Sequence, residues 1–289
     1  MNLASKYSKK VDERFKLKSL TEAGINRDYE WTGVATIYVY SIPTAPMNDY
    51  QRTGTNRYGT PEELENDIQE MTIAKDRSFT FTIDRGNYND TQMVMQAGKA
   101  LARQIDEVIV PEIDIYRLSA MATAAADAGG VKEGTVNKEN AYEAFLEGTS
   151  YFADKKVPSA KRIAWVTPEF YKYLKLDPSF IKASDLGQKM LINGQVGEVD
   201  GVKIVLTPTS YLPENTYYLL AHPAATIAAD KLQDYKTHDN PPGINGWLVE
   251  GRVIYDAFVL NNKNKALFIC KKSAPGTGTG TGSGDNNAP

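Results

Sequence analysis

The chain has 289 residues, 42% hydrophobic and 24% charged, the composition of an ordinary globular protein large enough for one or two domains. Its formal net charge of −3 predicts no global attraction to nucleic acids or acidic membranes. It contains no run of 18 or more apolar residues, so no membrane-spanning helix is predicted, and residues 1–20 lack the apolar core of a signal peptide. The single Cys270 excludes an intrachain disulfide framework and fits synthesis in a reducing, intracellular compartment.

Residues that commonly carry catalysis are scarce. The two histidines, His222 and His238, are predicted to be turn or packing residues, and Cys270 lies in an alternating stretch typical of a strand with a buried thiol. The chain has neither a phosphate-binding loop nor a dinucleotide fingerprint, and no Cys or His spacing that suits zinc. We therefore predict no catalytic, cofactor-binding or metal site. The alternative left open is a hydrolase that uses His222 or His238 with a nearby serine or aspartate.

The first twenty residues are basic although the chain is acidic overall. Six basic residues and two acidic ones give residues 1–20 a local charge of +4, and apolar side chains recur at every fourth position from Leu3 to Phe15. This spacing predicts a short amphipathic helix. Two interpretations stay open: a solvated terminal arm, or an arm that binds another chain or a polyanion.

Two alternating stretches bracket a long segment without periodicity. Residues 32–42 and 77–84 carry β-branched and aromatic residues in alternation, which predicts two strands. The segment between them, 43–70, contains several prolines and glycines and little apolar sequence. Loops of this length are usually functional or disordered. We predict that the two strands form a hairpin arm, which needs a partner surface because isolated hairpins are marginally stable in water.

The next predicted element is a long helix with a proline inside it. Asn89 is a candidate N-cap, an apolar stripe at helical spacing continues to Ala120, and the glycines of 127–130 end the element. From Asn89 to Ala124 such a helix is about 54 Å long at 1.5 Å per residue. Pro111 is expected to bend or divide the helix rather than end it, because the apolar stripe resumes in register beyond it.

Charged residues on the opposite side of this helix predict ion pairs at helical spacing. Arg103 and Glu107 stand four residues apart, and Asp114 and Arg117 three apart. Both spacings allow side chains to meet on a helix surface. We expect Arg117 to lie on the charged side, away from the apolar stripe.

Helices and strands alternate in the middle of the chain. Residues 137–156 have the pattern of an amphipathic helix. Residues 162–176 predict a buried strand followed by a helix with Pro168 in its first turn, a position that proline tolerates.

The last third of the chain is predominantly β in pattern. A hairpin or meander is predicted for 199–230, with turns at 200–201 and 213–215. Two long antiparallel strands joined by a turn at 261–264 are predicted for 246–272. The final sixteen residues are rich in glycine and threonine and predict a flexible tail.

The ordered set of basic arm, strand–loop–strand, long helix, mixed α/β region and closing strands resembles the major capsid proteins of tailed bacteriophages that share the Hong Kong 97 fold. The stretch "ARQIDEVIVPEIDIYRLSAM" is similar to the spine helix of one branch of that family, including its proline. The stretch "INGQVGEVDGVKIVLTPTSYLP" resembles a strand pair that leads into a meander and a proline turn. The resemblance covers about residues 1–272.

The resemblance implies an α+β fold of the Hong Kong 97 type, with an extended β-hairpin loop, a peripheral domain built on the spine helix, and a mixed α/β axial domain. The implied parts are the N-terminal arm 1–30, the extended loop 31–86, the peripheral domain 87–135 with 246–272, the axial domain 136–245, and the low-complexity tail 273–289.

The resemblance also implies a function without chemistry, namely self-assembly into hexamers and pentamers of an icosahedral virion head around double-stranded DNA. Implied partners are other copies of the chain, a scaffolding protein, a portal, packaged DNA on the inner face and a decoration protein, with no membrane. Some relatives bear a long N-terminal scaffolding segment that this sequence does not show, so either a separate scaffolding protein or a segment that has been cleaved off is expected. Assembly is expected in the bacterial host cytoplasm. An encapsulin-type nanocompartment shell is the alternative with the same fold, and no cross-linking Lys–Asn pair is carried over.

Overall fold

The computed structural model describes residues 19–29, 31, 35–61, 63–64, 66–84, 100–183 and 197–273. The described part is an α+β arrangement of three sheets and a long helix. Its strands in chain order are β1 (Thr36–Ser41), β2 (Asp67–Thr72), β3 (Lys75–Asp84), β4 (Val131–Gly134), β5 (Arg162–Val166), β6 (Glu198–Val199), β7 (Val202–Leu206), β8 (Thr216–Ala221), β9 (Thr226–Asp239), β10 (Gly246–Val259) and β11 (Leu267–Lys272). Its α-helices are α1 (Val110–Asp127), α2 (Ala141–Asp154), α3 (Pro168–Leu176) and α4 (Pro178–Ala183).

The three sheets differ in size and pairing. Strands β1 and β2 form an antiparallel two-stranded ribbon. A three-stranded antiparallel sheet has the order β3-β10-β9. A six-stranded sheet has the order β4-β11-β8-β5-β7-β6, in which β4 is parallel to β11 and β5 is parallel to β7.

The long helix continues through Pro111, as the sequence predicts. Residues 100–104 are helical, a π-helical turn occupies Ile105–Ile109, and α1 follows without a break. The Val110 amide donates to the carbonyl of Ile105, five residues back, so the wide turn ends where Pro111 lacks a donor. We call 100–127 the spine helix. The part of the predicted helix at 85–99 lies outside the described residues.

The spine helix ends as its two glycines predict. Gly129 has a φ of 73°, which a residue with a side chain adopts only under strain. The Gly130 amide donates to Ala125 and the Gly129 amide to Ala126, the two bonds of a Schellman motif. This motif turns the chain directly into β4.

The two halves of the spine helix pack on different sheets. In the first half, Ile105, Ile109 and Ile113 lie against the three-stranded sheet, in a cluster with Val249 and Val253 of β10. In the second half, Leu118 and Met121 are fully buried against the six-stranded sheet. The helix therefore connects the cores of the two sheets.

The predicted hairpin between 32–42 and 77–84 is wrong. Strand β1 pairs with β2, so that Tyr40 lies opposite Ile68, and the sequence did not indicate this second strand. Strand β3 pairs instead with β10. The reason is burial, because Phe79 and Phe81 on one face of β3 pack into the cluster under the spine helix.

The prediction that the two strands within 246–272 pair with each other is also wrong. A 3-10 helix, Asn261–Ala266, carries the chain from β10 to β11, which lies in the other sheet. Strand β10 alternates between buried and exposed positions, whereas the first four residues of β11 are all buried. A strand covered on both faces fits the six-stranded sheet, which is packed between helices on its two sides.

The prediction for 199–230 holds for both turns, at 200–201 and 213–215, and not for the pairing of the strands. Strands β6 and β7 form a hairpin across Asp200 and Gly201, whose φ values of 51° and 72° suit a type I′ turn. Strand β8 is not the neighbour of β7, because β5 lies between them. The sequence therefore predicts the local turn and misses the long-range strand order.

The remaining local predictions are confirmed. Helix α2 lies within the predicted 137–156, and β5 is buried at all five positions. The Thr167 hydroxyl caps α3 by accepting from the Phe170 amide at 3.4 Å, with Pro168 at the first helical position. The predicted helix at the N-terminus and the predicted tail lie outside the described residues.

Candidate interaction surfaces

The two histidines and the cysteine are not arranged as a catalytic group. His222 caps the short helix Pro223–Ala225, where its Nδ1 accepts from the Ala224 amide at 3.2 Å. His238 lies in strand β9 and not in a turn, with its Nε2 at 3.1 Å from Glu250 Oε2. The prediction for Cys270 is confirmed, since it is 1% exposed and burial raises the pKa of its thiol to about 12.

Within the described ranges, no group of three or more His, Cys, Asp or Glu side chains is placed to hold a metal ion. In the same part of the chain, no helix is both long and apolar enough to span a bilayer.

The β1–β2 ribbon has one buried and one exposed face. On the inner face, Ile37 and Val39 pack beside Met71 against Trp31 and Leu260 of the body. On the outer face, Tyr38, Tyr40 and Ile68 are 54%, 66% and 52% exposed. Alternation along the strands places these three residues together, because Tyr40 lies opposite Ile68 in the register. We call them the ribbon outer face.

The segment between the ribbon strands extends this exposed apolar surface. Residues 42–61 contain no strand or helix. Met47 is 98% exposed and Tyr58 is 85% exposed, and the Tyr58 ring packs edge-on against Tyr50 at 5.1 Å. Apolar side chains that are this exposed in a connected stretch are typical of a protein–protein contact.

Polar bonds fix the base of the ribbon to the body. The Gln69 amide nitrogen donates to the Val259 carbonyl at 2.8 Å, and its oxygen accepts from the Asn261 amide at 2.9 Å. Both bonds are made at the end of β10. The ribbon therefore leaves the body at a defined angle.

Asp256 fixes the junction between the ribbon and β3. Its carboxylate accepts from the Ala74 amide at 2.8 Å and from the Tyr116 hydroxyl of the spine helix at 2.7 Å. Asp256 is 4% exposed. Burial and the hydrogen bond to Asp256 raise the pKa of Tyr116 to about 12, so the donor keeps its proton at neutral pH. The buried carboxylate of Asp256 thus links β10, the spine helix and the short segment between β2 and β3.

The chain segment that follows the basic arm is bonded to the spine helix. Asp114 is 1% exposed and accepts from the Ser19 hydroxyl, the Leu20 amide and the Thr21 hydroxyl, at 2.6, 2.8 and 2.6 Å. The indole nitrogen of Trp165 donates to the Leu20 carbonyl at 3.0 Å. Residues 19–21 are therefore held at the middle of the spine helix. The basic residues of the predicted arm, up to Lys18, lie outside the described residues.

Arg117 belongs to this same polar cluster, which corrects its predicted position. Its side chain is fully buried, and its Nη2 donates to both carboxylate oxygens of Asp230 at 3.1 Å, while Nη1 donates to the Thr21 hydroxyl. It pairs with Asp230 of β9 and not with Asp114. The predicted pair of Arg103 and Glu107 is confirmed at 3.0 Å.

Sequence reasoning missed most of these polar groups. Gln69 and Asp256 lie in strands whose neighbours in space come from distant parts of the chain. The one available signal was Asp114, a carboxylate directly beside the apolar Ile113 of the predicted helix stripe. A carboxylate that is buried beside such a stripe requires hydrogen-bond donors from another segment of the chain.

The fold is similar to that of solved structures from phages. A chain of Mycobacterium phage Che8 matches with a TM-score of 0.66 at 14% identity, over 88% of this chain and 90% of that chain. The capsid structure of cyanophage P-SCSP1u matches with a TM-score of 0.63 at 15% identity, over 89% and 88%. The mature capsid of bacteriophage PhiM1 matches with 0.62 at 13% identity, over 86% and 83%. At these identities the likeness establishes the fold.

The sequence itself also matches a family. The model of a family described as phage capsid protein matches residues 68–268, well over half of the chain, so the chain belongs to the phage capsid protein family. It is a structural protein, the major protein of an icosahedral shell, and it assembles with copies of itself in the virion. Neither the nanocompartment nor the hydrolase alternative is favoured. No curated protein sequence matches the chain.

Proposed function

We propose that this shell protein builds the head of a tailed phage with the Hong Kong 97 architecture, and that the ribbon and its loop reach across a neighbouring subunit. The observation that carries the proposal is the ribbon outer face, an apolar surface more than half exposed among the described residues. Tyrosine and methionine are enriched at protein–protein interfaces and bury large areas at low entropic cost.

The proposal keeps the five parts of the resemblance: arm 1–30, extended loop 31–86, peripheral domain 87–135 with 246–272, axial domain 136–245 and tail 273–289. Sheet membership favours moving four strands between these parts. Strands β3 and β9 join the peripheral domain, because both hydrogen-bond to β10. Strands β4 and β11 join the axial domain, because both belong to the six-stranded sheet with β8 and β5.

The proposed partners follow from the same architecture. Copies of the chain form hexamers and pentamers, packaged double-stranded DNA touches the inner face without sequence preference, and a scaffolding protein, a portal and a decoration protein complete the head. The local charge of +4 on residues 1–20 supports a contact with a polyanion, either DNA or an acidic scaffold. Assembly takes place in the cytoplasm of the bacterial host.

The ribbon outer face gives the direct test. We expect the double substitution Tyr40→Asp and Ile68→Asp to reduce the yield of shells at least about tenfold, since two apolar contacts at an interface are each worth more than 1 kcal/mol when they are central. Both side chains are more than half exposed, so the fold of the free subunit should be retained. Electron microscopy counts the shells, and circular dichroism monitors the fold.

The matched control is Leu176→Asp, a residue at the end of α3 that is 51% exposed. It introduces a carboxylate at an equally exposed apolar position away from the ribbon. Shell formation by the control and not by the ribbon variant supports the proposal. Normal shells from the ribbon variant would contradict it.

A further inference from the structure

Four exposed lysines lie in two chain segments that meet at one end of the six-stranded sheet, because Ala221, next to His222, lies opposite both Ile163 of β5 and Leu267 of β11. Two lie in the turn between α2 and β5, and two lie in the 3-10 helix Asn261–Ala266. We call Lys156, Lys161, Lys263 and Lys265 the lysine patch.

Main-chain bonds hold one segment of the patch, the 3-10 helix, against the residues that follow β8. The His222 amide donates to the Ala266 carbonyl at 3.0 Å, and the Leu260 amide donates to the Ala225 carbonyl at 2.9 Å. These two bonds fix both ends of the 3-10 helix that carries Lys263 and Lys265. The patch therefore belongs to the folded body.

A buried arginine fixes the other segment. Arg162 is 7% exposed, and its guanidinium donates to the carbonyls of Val157 and Pro158 at 2.7 and 2.9 Å. The same group lies over the Phe152 ring at 5.5 Å. These bonds hold the turn between α2 and β5 in one conformation. Lys156 and Lys161 in this turn are exposed to solvent.

The charges of the patch are not neutralised within the described part of the chain. The sequence has no acidic residue between Lys155 and Trp165, or between Leu260 and Lys272. None of the four lysines has a carboxylate within ion-pair distance among the described residues. Three lysines elsewhere do have such a partner: Lys132 with Glu147, Lys236 with Asp234, and Lys272 with Glu169.

The electrostatic surroundings of His222 reflect this excess of positive charge. Burial lowers the pKa of its imidazole, against the effect of a hydrogen bond with the Ala160 backbone. Three neighbouring cations lower the pKa further: Arg162, Lys263 and Lys161. Cations from both segments of the patch therefore lie close enough to His222 to lower the pKa of its imidazole.

Two of the lysines occupy strained backbone positions. Lys156 and Lys161 have φ values of 59° and 62°, in the left-handed region where glycine or asparagine costs less. The turn therefore places these two lysines at backbone positions that a side chain adopts less readily than glycine does.

We propose that the lysine patch binds the phosphate backbone of double-stranded DNA. Within the proposed capsid function, this is a DNA contact on the folded body, additional to the basic arm. The patch is made of lysine with serine, asparagine, proline and alanine, and it carries no exposed aromatic residue. Lysine is depleted at protein–protein interfaces, whereas it binds phosphate as a point charge, so the composition favours a polyanion over another subunit. The ribbon outer face shows the opposite composition.

The test uses the full chain as soluble subunits and a 30-base-pair duplex of mixed sequence, with fluorescence anisotropy measured at several salt concentrations. The variant combines Lys161→Gln, Lys263→Gln and Lys265→Gln. Each lost phosphate contact lowers the slope of log affinity against log salt by about 0.9, so the slope should fall by up to about 2.7. The control combines Lys138→Gln, Lys172→Gln and Lys203→Gln, which removes the same charge from exposed lysines elsewhere.

A slope that falls in the patch variant and changes little in the control supports the proposal. Equal slopes for the wild type and the patch variant overturn it. Loss of shells with unchanged DNA affinity also overturns it, because the patch would then be a contact between subunits. Shell formation is counted separately by electron microscopy, so a failure of the proposed capsid architecture remains distinguishable from a failure of the patch.

Discussion

At the scale of single residues, the polar cluster around Arg117 joins three distant parts of the chain. The guanidinium connects the spine helix to Asp230 of β9 and to Thr21 of the N-terminal segment, and Arg27 reaches the same Asp230 carboxylate at 2.8 Å. Asp114 contributes a second set of bonds to the same segment. Buried charges of this kind are costly unless each is paired, so removing one member affects all the others.

We expect Arg117→Met to lower the free energy of unfolding by about 3 kcal/mol, because the substitution leaves Asp230 partly buried with a single remaining cation. Urea unfolding of the free subunit measures the difference. Arg103→Met is the matched control on the same helix, and little change is expected there because its pair with Glu107 is exposed to solvent. Equal stabilities of the two variants would show that the buried cluster contributes nothing.

Residue-scale features are predictable from sequence where they are local. The buried thiol of Cys270, the position of Pro168 in the first turn of α3 and the turn at Asp200 and Gly201 follow from patterns within a few positions. The burial of Arg117 does not, since it depends on Asp230 and on Thr21, which lies 96 residues away. Helical periodicity alone assigned this residue to the wrong side.

At the scale of elements, the sequence predicts most helices and strands and mispairs several strands. The alternation of 77–84 correctly predicts a strand. Alternation indicates which face of a strand is buried, but it does not indicate which other strand pairs with it. The partner is decided by which strand covers Phe79 and Phe81, and β10 does so because the spine helix lies over both strands. Strand β2 was missed because Ile68 and Met71 are its only large apolar residues and do not alternate.

The loop at 42–61 and the ribbon allow a second prediction at this scale. The loop has few internal contacts beyond the rings of Tyr50 and Tyr58, so its amides should exchange with solvent rapidly in free subunits and slowly in shells, once a neighbour covers them. Hydrogen exchange with mass spectrometry compares the two states. Strand β5, buried in both, is the internal reference. The proposed contact would be contradicted by equal exchange in the loop of free and assembled protein.

At the scale of the whole molecule, the resemblance predicted the phage capsid family and an α+β fold with a long helix, whereas composition and charge only limited the class of protein. The spine helix, the ribbon loop and the mixed sheet all appear in the expected order along the chain. Which strands form which sheet depends on contacts between residues far apart in sequence, such as β3 with β10, and a single sequence does not contain that information.

The C-terminal sequence provides a prediction for the whole molecule. The last described main-chain bond runs from the Ser273 amide to the Gly134 carbonyl at 3.2 Å, and the residues beyond it are rich in glycine and threonine. A chain that stops after Ser273 should therefore fold and form shells, because such a segment buries no core. Thermal unfolding and electron microscopy of the shortened chain are the measurements. Loss of the fold would mean that the tail packs on the body.

The polar cluster of Asp114 and Arg117 lies where the spine helix passes from one sheet to the other. The fully buried apolar side chains against the three-stranded sheet reach Ile113, the partly buried Tyr116 still packs on Tyr255 of that sheet, and contacts with the six-stranded sheet begin at Leu118. Asp114 and Arg117 lie in this turn and bond it to residues 19–21 and to Asp230 of β9. The N-terminal segment is therefore anchored at the junction between the two sheets.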